Sequence, residues 1–270
     1  MSSTPQSTPA GPVVLVAKQD GIATLVMNRS DRLNALNTEL AVAVNEALGR
    51  LAEDSNVNVV VITGAGRAFC AGGDLGSLGK SREAGTIQEV EPLLRAGMQM
   101  VLKMRTMPQP VIAAVNGVAA GAGMNIALAA DIRIAAEEAK IAFIFVKVGL
   151  AGTDMGATYL LPRVIGLAKA TELLMTGDFI EAQEAERIGL YNRVVPRAQL
   201  ETITQEFAEK LARGPSLGLA KTKEMLNREM HMGFDSALEA EAVAQALCMQ
   251  TADFKEAHAA FLEKREAKFK

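Results

Sequence analysis

Two Gly/Ala-rich turns about fifty residues apart constrain this 270-residue chain more than any other feature. The first reads Arg67-Ala68-Phe69-Cys70-Ala71-Gly72-Gly73-Asp74-Leu75, and the second Asn116-Gly117-Val118-Ala119-Ala120-Gly121-Ala122-Gly123-Met124-Asn125. Each follows an apolar run rich in β-branched residues, Val57 to Thr63 and Val111 to Val115. Each is read as a strand that ends in a tight loop and enters a helix. Small residues at such a junction let another group come close to the backbone. The N–H groups at the helix start point at whatever sits there. One N–H from each turn can hold a single oxygen as it gains negative charge. Taken singly, either turn also reads as an ordinary strand-to-helix connection. A nucleotide-binding glycine fingerprint lacks its full spacing and its acidic residue, and no Gly-Lys-Ser/Thr completes a phosphate loop.

The rest of the chain alternates strands with helices and then turns helical. Val13–Ala17 and Ile22–Met27 flank Asp20-Gly21, a hairpin signal. Asn37 and Thr38 offer a cap to a helix running to about Ala52, with Leu40, Val44, Ala47, Leu48 and Leu51 on one face. Val57–Thr63 and Val111–Val115 are read as strands buried on both faces. Gly76–Thr86 reads as a mobile polar loop, and Ile87–Arg105 as an amphipathic helix stopped by Pro108 and Pro110. Gly121–Ala129 reads as a helix of small residues and Ile132–Ala136 as a strand. Helices are then expected over Ala168–Met175, Glu181–Ile188, Ala198–Ala212, Leu217–Arg228, Phe234–Met249 and Asp253–Lys268. The expected organisation is a flexible tail over 1–12, an α/β core over 13–195 and an all-α region over 196–270. That last region is expected to build a subunit interface or cover a site.

Composition narrows the function. Apolar residues make up 49% of the chain, enough for a full core. A net charge of −3, 4% aromatic residues and no Trp argue against nucleic-acid partners. Two cysteines, Cys70 and Cys248, make no disulfide framework and suit a reducing, cytoplasmic setting. The Ser/Thr/Pro-rich start has no basic or apolar region of a signal peptide. Val111–Ala130 carries no charge and is long enough to span a bilayer. Its Asn and Gly content, with Pro110 and Asp131 at its edges, favours a buried strand-loop-helix instead.

Several short motifs, in order, carry a family resemblance. They are Met27-Asn28-Arg29 with Asn34-Ala35-Leu36, Phe69-Cys70-Ala71-Gly72-Gly73-Asp74, Ala113-Ala114-Val115-Asn116-Gly117, Leu160-Leu161-Pro162-Arg163 and Ala260-Phe261-Leu262-Glu263-Lys264-Arg265. In this order and spacing the chain resembles the enoyl-CoA hydratase/isomerase (crotonase) family over nearly its whole length. The resemblance implies an α/β spiral of repeated ββα units with a helical C-terminal region. It implies trimers or dimers of trimers, and an acyl-CoA thioester as substrate with no separate cofactor; the sequence itself shows no metal-ligand spacing. It implies that the thioester oxygen is held by two backbone N–H groups, by position those of Ala71 and Ala122. It further implies coenzyme A or substrate contacts at Arg29, Arg32 and Ala35, along Gly72, Gly73, Asp74 and Leu75, and at Phe261 and Lys264. Lys264, Arg265 and Lys268 also read as a solvated last turn that complements the helix dipole.

Family hydratases place two glutamates after the second turn. Here those positions are Asn125 and Phe145. An amide can orient water but is a poor base, and a phenyl ring shapes and dries a pocket. Asp154, in Gly152-Thr153-Asp154-Met155-Gly156, matches the place where some family isomerases carry a catalytic aspartate. It reads equally as a cap for a helix starting near Met155. As an acid/base its pKa is expected to be raised by Phe143, Phe145 and Met155. The residues therefore favour enoyl-CoA double-bond isomerisation with Asp154 as acid/base. The alternatives are hydration with Asn125 positioning water, and a non-catalytic acyl-CoA-binding subunit. Cys70 reads as small buried packing, since the histidines, His231 and His258, sit in helical segments far along the chain.

Overall fold

The computed structural model describes residues 11–74, 76 and 87–269. The expected tail over 1–12 (save its last two residues), Leu75, and the loop expected over Gly76–Thr86 (save Gly76) lie outside the described residues. Strands β1 (Val14–Gln19) and β2 (Ile22–Met27) form the expected antiparallel hairpin. Its turn places Asp20 at φ +49° and Gly21 at +78°, the doubly left-handed geometry that matches strand twist. Strand β2 then pairs in parallel with β3 (Val59–Gly64). Beyond it lie β5 (Val111–Val115), β7 (Ile132–Ala136) and β10 (Arg193–Val195), giving one six-stranded sheet in the order β1-β2-β3-β5-β7-β10.

Alternation within the central strands explains why they read as unbroken apolar runs. Val60 and Ile62 of β3 and Val111, Ala113 and Val115 of β5 face the main core. Val59, Val61, Ile112 and Ala114 face a second layer that includes Leu200 and Ala208. The main-core side is covered by helix α1 (Thr38–Glu53), whose N-cap Asn37 accepts the Leu40 N–H at 2.9 Å, and by α2 (Ile87–Thr106) packed on α1. All five residues of the predicted α1 face are buried.

The glycine turns differ from a plain strand-to-helix passage. Each holds a further short strand, β4 (Ala68–Cys70) and β6 (Val118–Ala120). With β8 (Lys140–Ala142) and β9 (Ile180–Glu181) these make a second sheet in the order β4-β6-β8-β9. Long strand, short strand and helix recur as β5-β6-α3 (α3 being Ala122–Ala129), the ββα unit that the resemblance implied. Three-residue strands are too short to show a period, and β4 pairs with β6 about fifty residues away.

The later helices are α4 (Ala157–Ile165), α5 (Leu167–Thr176), α6 (Ala182–Arg187), α7 (Leu200–Ala212), α8 (Ser216–Arg228), α9 (Phe234–Met249) and α10 (Ala252–Glu263). Helix α7 covers the second face of the six-stranded sheet. Helix α8 is fastened by buried Lys223, which donates to the Met104 and Gln109 carbonyls at 2.7 and 2.8 Å and pairs with Asp131 at 2.8 Å. Helix α10 ends five residues before the expected Lys268. Lys264 turns left-handed at φ +54°, and Arg265 folds back to pair with Glu256 at 2.6 Å. No helix among the described residues is long and apolar enough to cross a membrane. The uncharged Val111–Ala130 stretch is β5, β6 and α3.

Candidate active site

Parallel strands deliver their C-terminal loops to the same edge of a sheet, so β3 and β5 bring the two glycine turns together. The turns then pair directly, Ala68 with Val118 and Cys70 with Ala119. Their small residues admit the other turn's backbone. A β-carbon on Gly123 would lie 2.0 Å from the Cys70 carbonyl oxygen. At Gly72, where φ is +105°, it would lie 2.9 Å from the Ala120 oxygen and 3.9 Å from the Ala122 nitrogen. The first turn's backbone is thereby set beside the N-terminus of α3.

Hydrogen bonding decides which N–H groups remain open there. The Ala71 N–H donates to the Leu33 carbonyl at 3.0 Å, so the donor expected from the first turn is already engaged. Leu36 donates to the Gly72 carbonyl at 2.7 Å and accepts from the Asp74 N–H at 2.9 Å. This makes a parallel bridge between Leu36 and Gly73 in which Leu36 bonds to the residues on either side of Gly73. In that pattern Gly73's own N–H faces away from Leu36, and it meets no acceptor among the described residues. Ala122 is the first residue of α3, and its N–H meets none among them either. The open pair is Gly73 and Ala122, which corrects Ala71 to a structural donor.

Side chains from three elements surround this edge. Phe145 is buried, and its ring lies 3.7 Å from the position of a β-carbon on Gly121, the residue that opens α3. Asn125, one turn into α3, is fully buried. Its Nδ2 donates to the main-chain carbonyl of Asp154 at 3.0 Å, while its Oδ1 has no partner among the described residues. Asp154 is partly buried. Burial pushes its carboxyl above the ordinary aspartate value, and a hydrogen bond from the Met155 N–H opposes that only in part. The capping reading is overturned. Helix α4 starts at Ala157 behind a left-handed Gly156, and the Ala157 N–H goes to Asp154's main-chain oxygen at 2.8 Å.

The expected coenzyme A contacts fare unequally. Arg29 turns inward. Its guanidinium donates to the Ala35 carbonyl and pairs with Asp74 at 3.0 Å, tying the early loop to the first turn. Arg32 is exposed on the same loop, paired loosely with Asp31 at 3.8 Å. Phe261 is 80% exposed on α10, and Lys264 stands at that helix's end. Cys70 is buried, its thiol pushed up to about 11 by burial. His231 stacks on Tyr159 and shares a 2.8 Å hydrogen bond with its hydroxyl. No cluster of metal-ligating side chains occurs among the described residues.

Paired sheets of ββα units, with a helical C-terminal region, define a protein of the crotonase fold. A crystal structure of a putative enoyl-CoA hydratase from Streptomyces coelicolor A3(2) superposes with a TM-score of 0.92 and 42% identity, covering 100% of this chain and 98% of that one. The family profile of enoyl-CoA hydratase/isomerase matches residues 17–270, and the chain belongs to that family. It is 38% identical to 1,2-epoxyphenylacetyl-CoA isomerase of Escherichia coli (strain K12), over 95% of this chain and 97% of that protein. It is 37% identical to a short-chain-enoyl-CoA hydratase of Clostridium acetobutylicum, over 94% and 95% respectively. The chain is accordingly an enzyme of a family whose members carry both hydratase and isomerase names.

Proposed function

We propose that this enzyme shifts the double bond of an enoyl-CoA, with Asp154 carrying the proton and the N–H groups of Gly73 and Ala122 holding the thioester oxygen. One observation carries this reading. Asp154 is a partly buried carboxyl with a raised pKa beside α3, whereas the two places at which family hydratases have glutamate hold Asn125 and Phe145. The Asn125 donor is engaged by a main-chain carbonyl, which weighs against its presenting water.

The chemistry follows from the groups. Two fixed N–H dipoles polarise the thioester carbonyl and stabilise the enolate that forms when the α-carbon loses a proton. A donor of this kind contributes on the order of 3 kcal/mol to the barrier. The N-terminus of α3 adds its dipole at the same oxygen. Asp154, as the carboxylate, takes the α-proton. As the neutral acid that burial favours, it then returns the proton to the γ-carbon. The bond moves with no gain of water and no cofactor, coenzyme A being part of the substrate. Phe145 keeps water from the enolate.

We further infer assembly through the C-terminal helices as a trimer or dimer of trimers. Only Ala244 of the sixteen residues of α9 is buried in the single chain, while Phe234, Val243, Leu247 and Phe261 stand exposed. The functional test is to mix the enzyme separately with 2-hexenoyl-CoA and 3-hexenoyl-CoA, following conjugated-thioester absorbance and product mass. A shifted double bond at constant mass supports isomerisation. Added water mass overturns it in favour of hydration, and tight binding without turnover in favour of a binding subunit.

A further inference from the structure

We infer that Asn125 is a positioning residue that tethers the Asp154 loop to the helix presenting the Ala122 donor; this rests on the reading of Asp154 as acid/base. Asn125 lies three residues after Ala122 on α3, about one helical turn and roughly 4.5 Å along its axis. Its Nδ2 reaches 29 positions along the chain to the main-chain oxygen of Asp154, at 3.0 Å. One rigid helix therefore presents an N–H at its first residue and, a turn later, grips the segment carrying the carboxyl. The distance between the oxygen-holding donor and the acid/base is set by that grip.

The loop has reason to need it. Met155 stands at φ +44° and Gly156 at +83°, two consecutive left-handed residues, the first of them with a side chain. A non-glycine residue there costs of order 1 kcal/mol or more, so surrounding contacts must hold it. Two contacts do so. Met155 packs its thioether against Gly97 of α2, with Sδ 3.1 Å from the position of a β-carbon on that glycine. Asn125 holds the carbonyl of Asp154, which also receives the Ala157 N–H at 2.8 Å. The carbonyl thus accepts two donors, one from its own loop and one from α3. Asn125 is fully buried, so this amide is a built part of the interior rather than a surface group.

A tether makes a prediction that a water-binding amide does not: Asn125 acts through Asp154, so the two residues are not independent. The experiment is a double-mutant cycle in the full-length enzyme with Asn125→Leu, Asp154→Asn and both together, read as turnover of 3-hexenoyl-CoA. Asn125→Leu is expected to lower kcat about 100-fold with KM within a few fold, since a misplacement of about 1 Å costs that much. Its acidic pH limb should move down, because a loosened carboxyl is better hydrated. The double variant should be no slower than Asp154→Asn alone. Amide exchange at Ala157, measured on the same variant, should speed up, because a loosened loop holds the Asp154 carbonyl less firmly against the Ala157 N–H.

Losses that multiply in the cycle, or an unchanged kcat in folded Asn125→Leu, overturn the tether. Full turnover in Asp154→Asn overturns instead the acid/base reading on which it rests. Unchanged exchange at Ala157 then separately overturns the geometric grip. Asn125→Ser, which keeps a polar group too short to reach, takes the place of Asn125→Leu in every arm if the leucine variant does not fold.

Discussion

The guanidinium of Arg29 and the carboxylate of Asp74 meet at 3.0 Å across 45 residues of sequence, both side chains mostly buried. The same arginine donates to the Ala35 carbonyl, so the loop after β2 and the first glycine turn are fixed to each other. Removing Arg29 takes its charged partner from Asp74, which keeps the Gly76 N–H at 3.0 Å. Arg29→Leu is expected to lower unfolding free energy by about 2 kcal/mol, the loss of charge-assisted hydrogen bonds. Arg29→Lys should fail to restore it, since an ammonium lacks the planar fork that serves two acceptors in fixed directions. Denaturant unfolding followed by circular dichroism measures both.

The glycines of the second turn divide by what stands opposite them. Gly123→Ala drives a β-carbon to 2.0 Å from the Cys70 carbonyl oxygen and to 2.7 Å from its carbon, both backbone atoms. Since neither turn can yield, we expect a loss of roughly 3 kcal/mol or more and no measurable turnover. Ala122→Gly keeps the N–H at the start of α3 and should hold turnover within a few fold. Steady-state rates and melting temperatures of the pair test the contrast.

Asp154, the proposed acid/base, ties stability to pH with a definite sign. Its folded pKa is raised by burial, so the native state binds the proton more tightly than the unfolded chain. This stabilisation is fully present below the unfolded value, and it is lost as pH rises through the folded one. Asp154→Asn should therefore be more stable than the parent at pH 7, with the difference vanishing below about pH 3. The same substitution should abolish isomerisation. A variant less stable at neutral pH would contradict the burial argument.

Cys70 lies beside the site without serving it. Burial pushes its thiol up to about 11, so it stays protonated at neutral pH. The native enzyme should resist alkylation there until unfolded, as peptide mapping after iodoacetamide treatment would show. Cys70→Ala should keep turnover while costing about 1 kcal/mol of packing.

Assembly has a direct measurement. Val243 and Leu247 are exposed on α9, 61% and 49% respectively, and lie one helical turn apart. Introducing glutamate at both places buried charge in any interface α9 makes. Val243→Glu with Leu247→Glu should shift sedimentation toward the monomer while leaving the far-ultraviolet spectrum unchanged.

Local and periodic features could be read directly from the chain. Asp20-Gly21 specified the hairpin, Asn37 the start of α1, and alternate burial the two-faced strands β3 and β5, because neighbours along the chain decide each of these. Motif order was enough to indicate the family, and Asn125 and Phe145 were legible as the positions where this chain differs from the hydratases it resembles. Which backbone groups stay open depends on long-range packing. A backbone N–H is a donor until something accepts from it. Ala71 loses that freedom to Leu33, 38 residues earlier, while Gly73 keeps it because the Leu36 bridge takes the amide and carbonyl groups on either side. Arg29, expected at coenzyme A, is turned inward to Asp74. Asp154 does not cap a helix, because the helix begins three residues after it, at Ala157. Each of these outcomes rests on where a partner from elsewhere in the chain, or the next element's first turn, comes to lie. Periodicity and motif spacing carry no record of that, because hydrogen bonds are allotted only when the sheets pair and the turns close on each other.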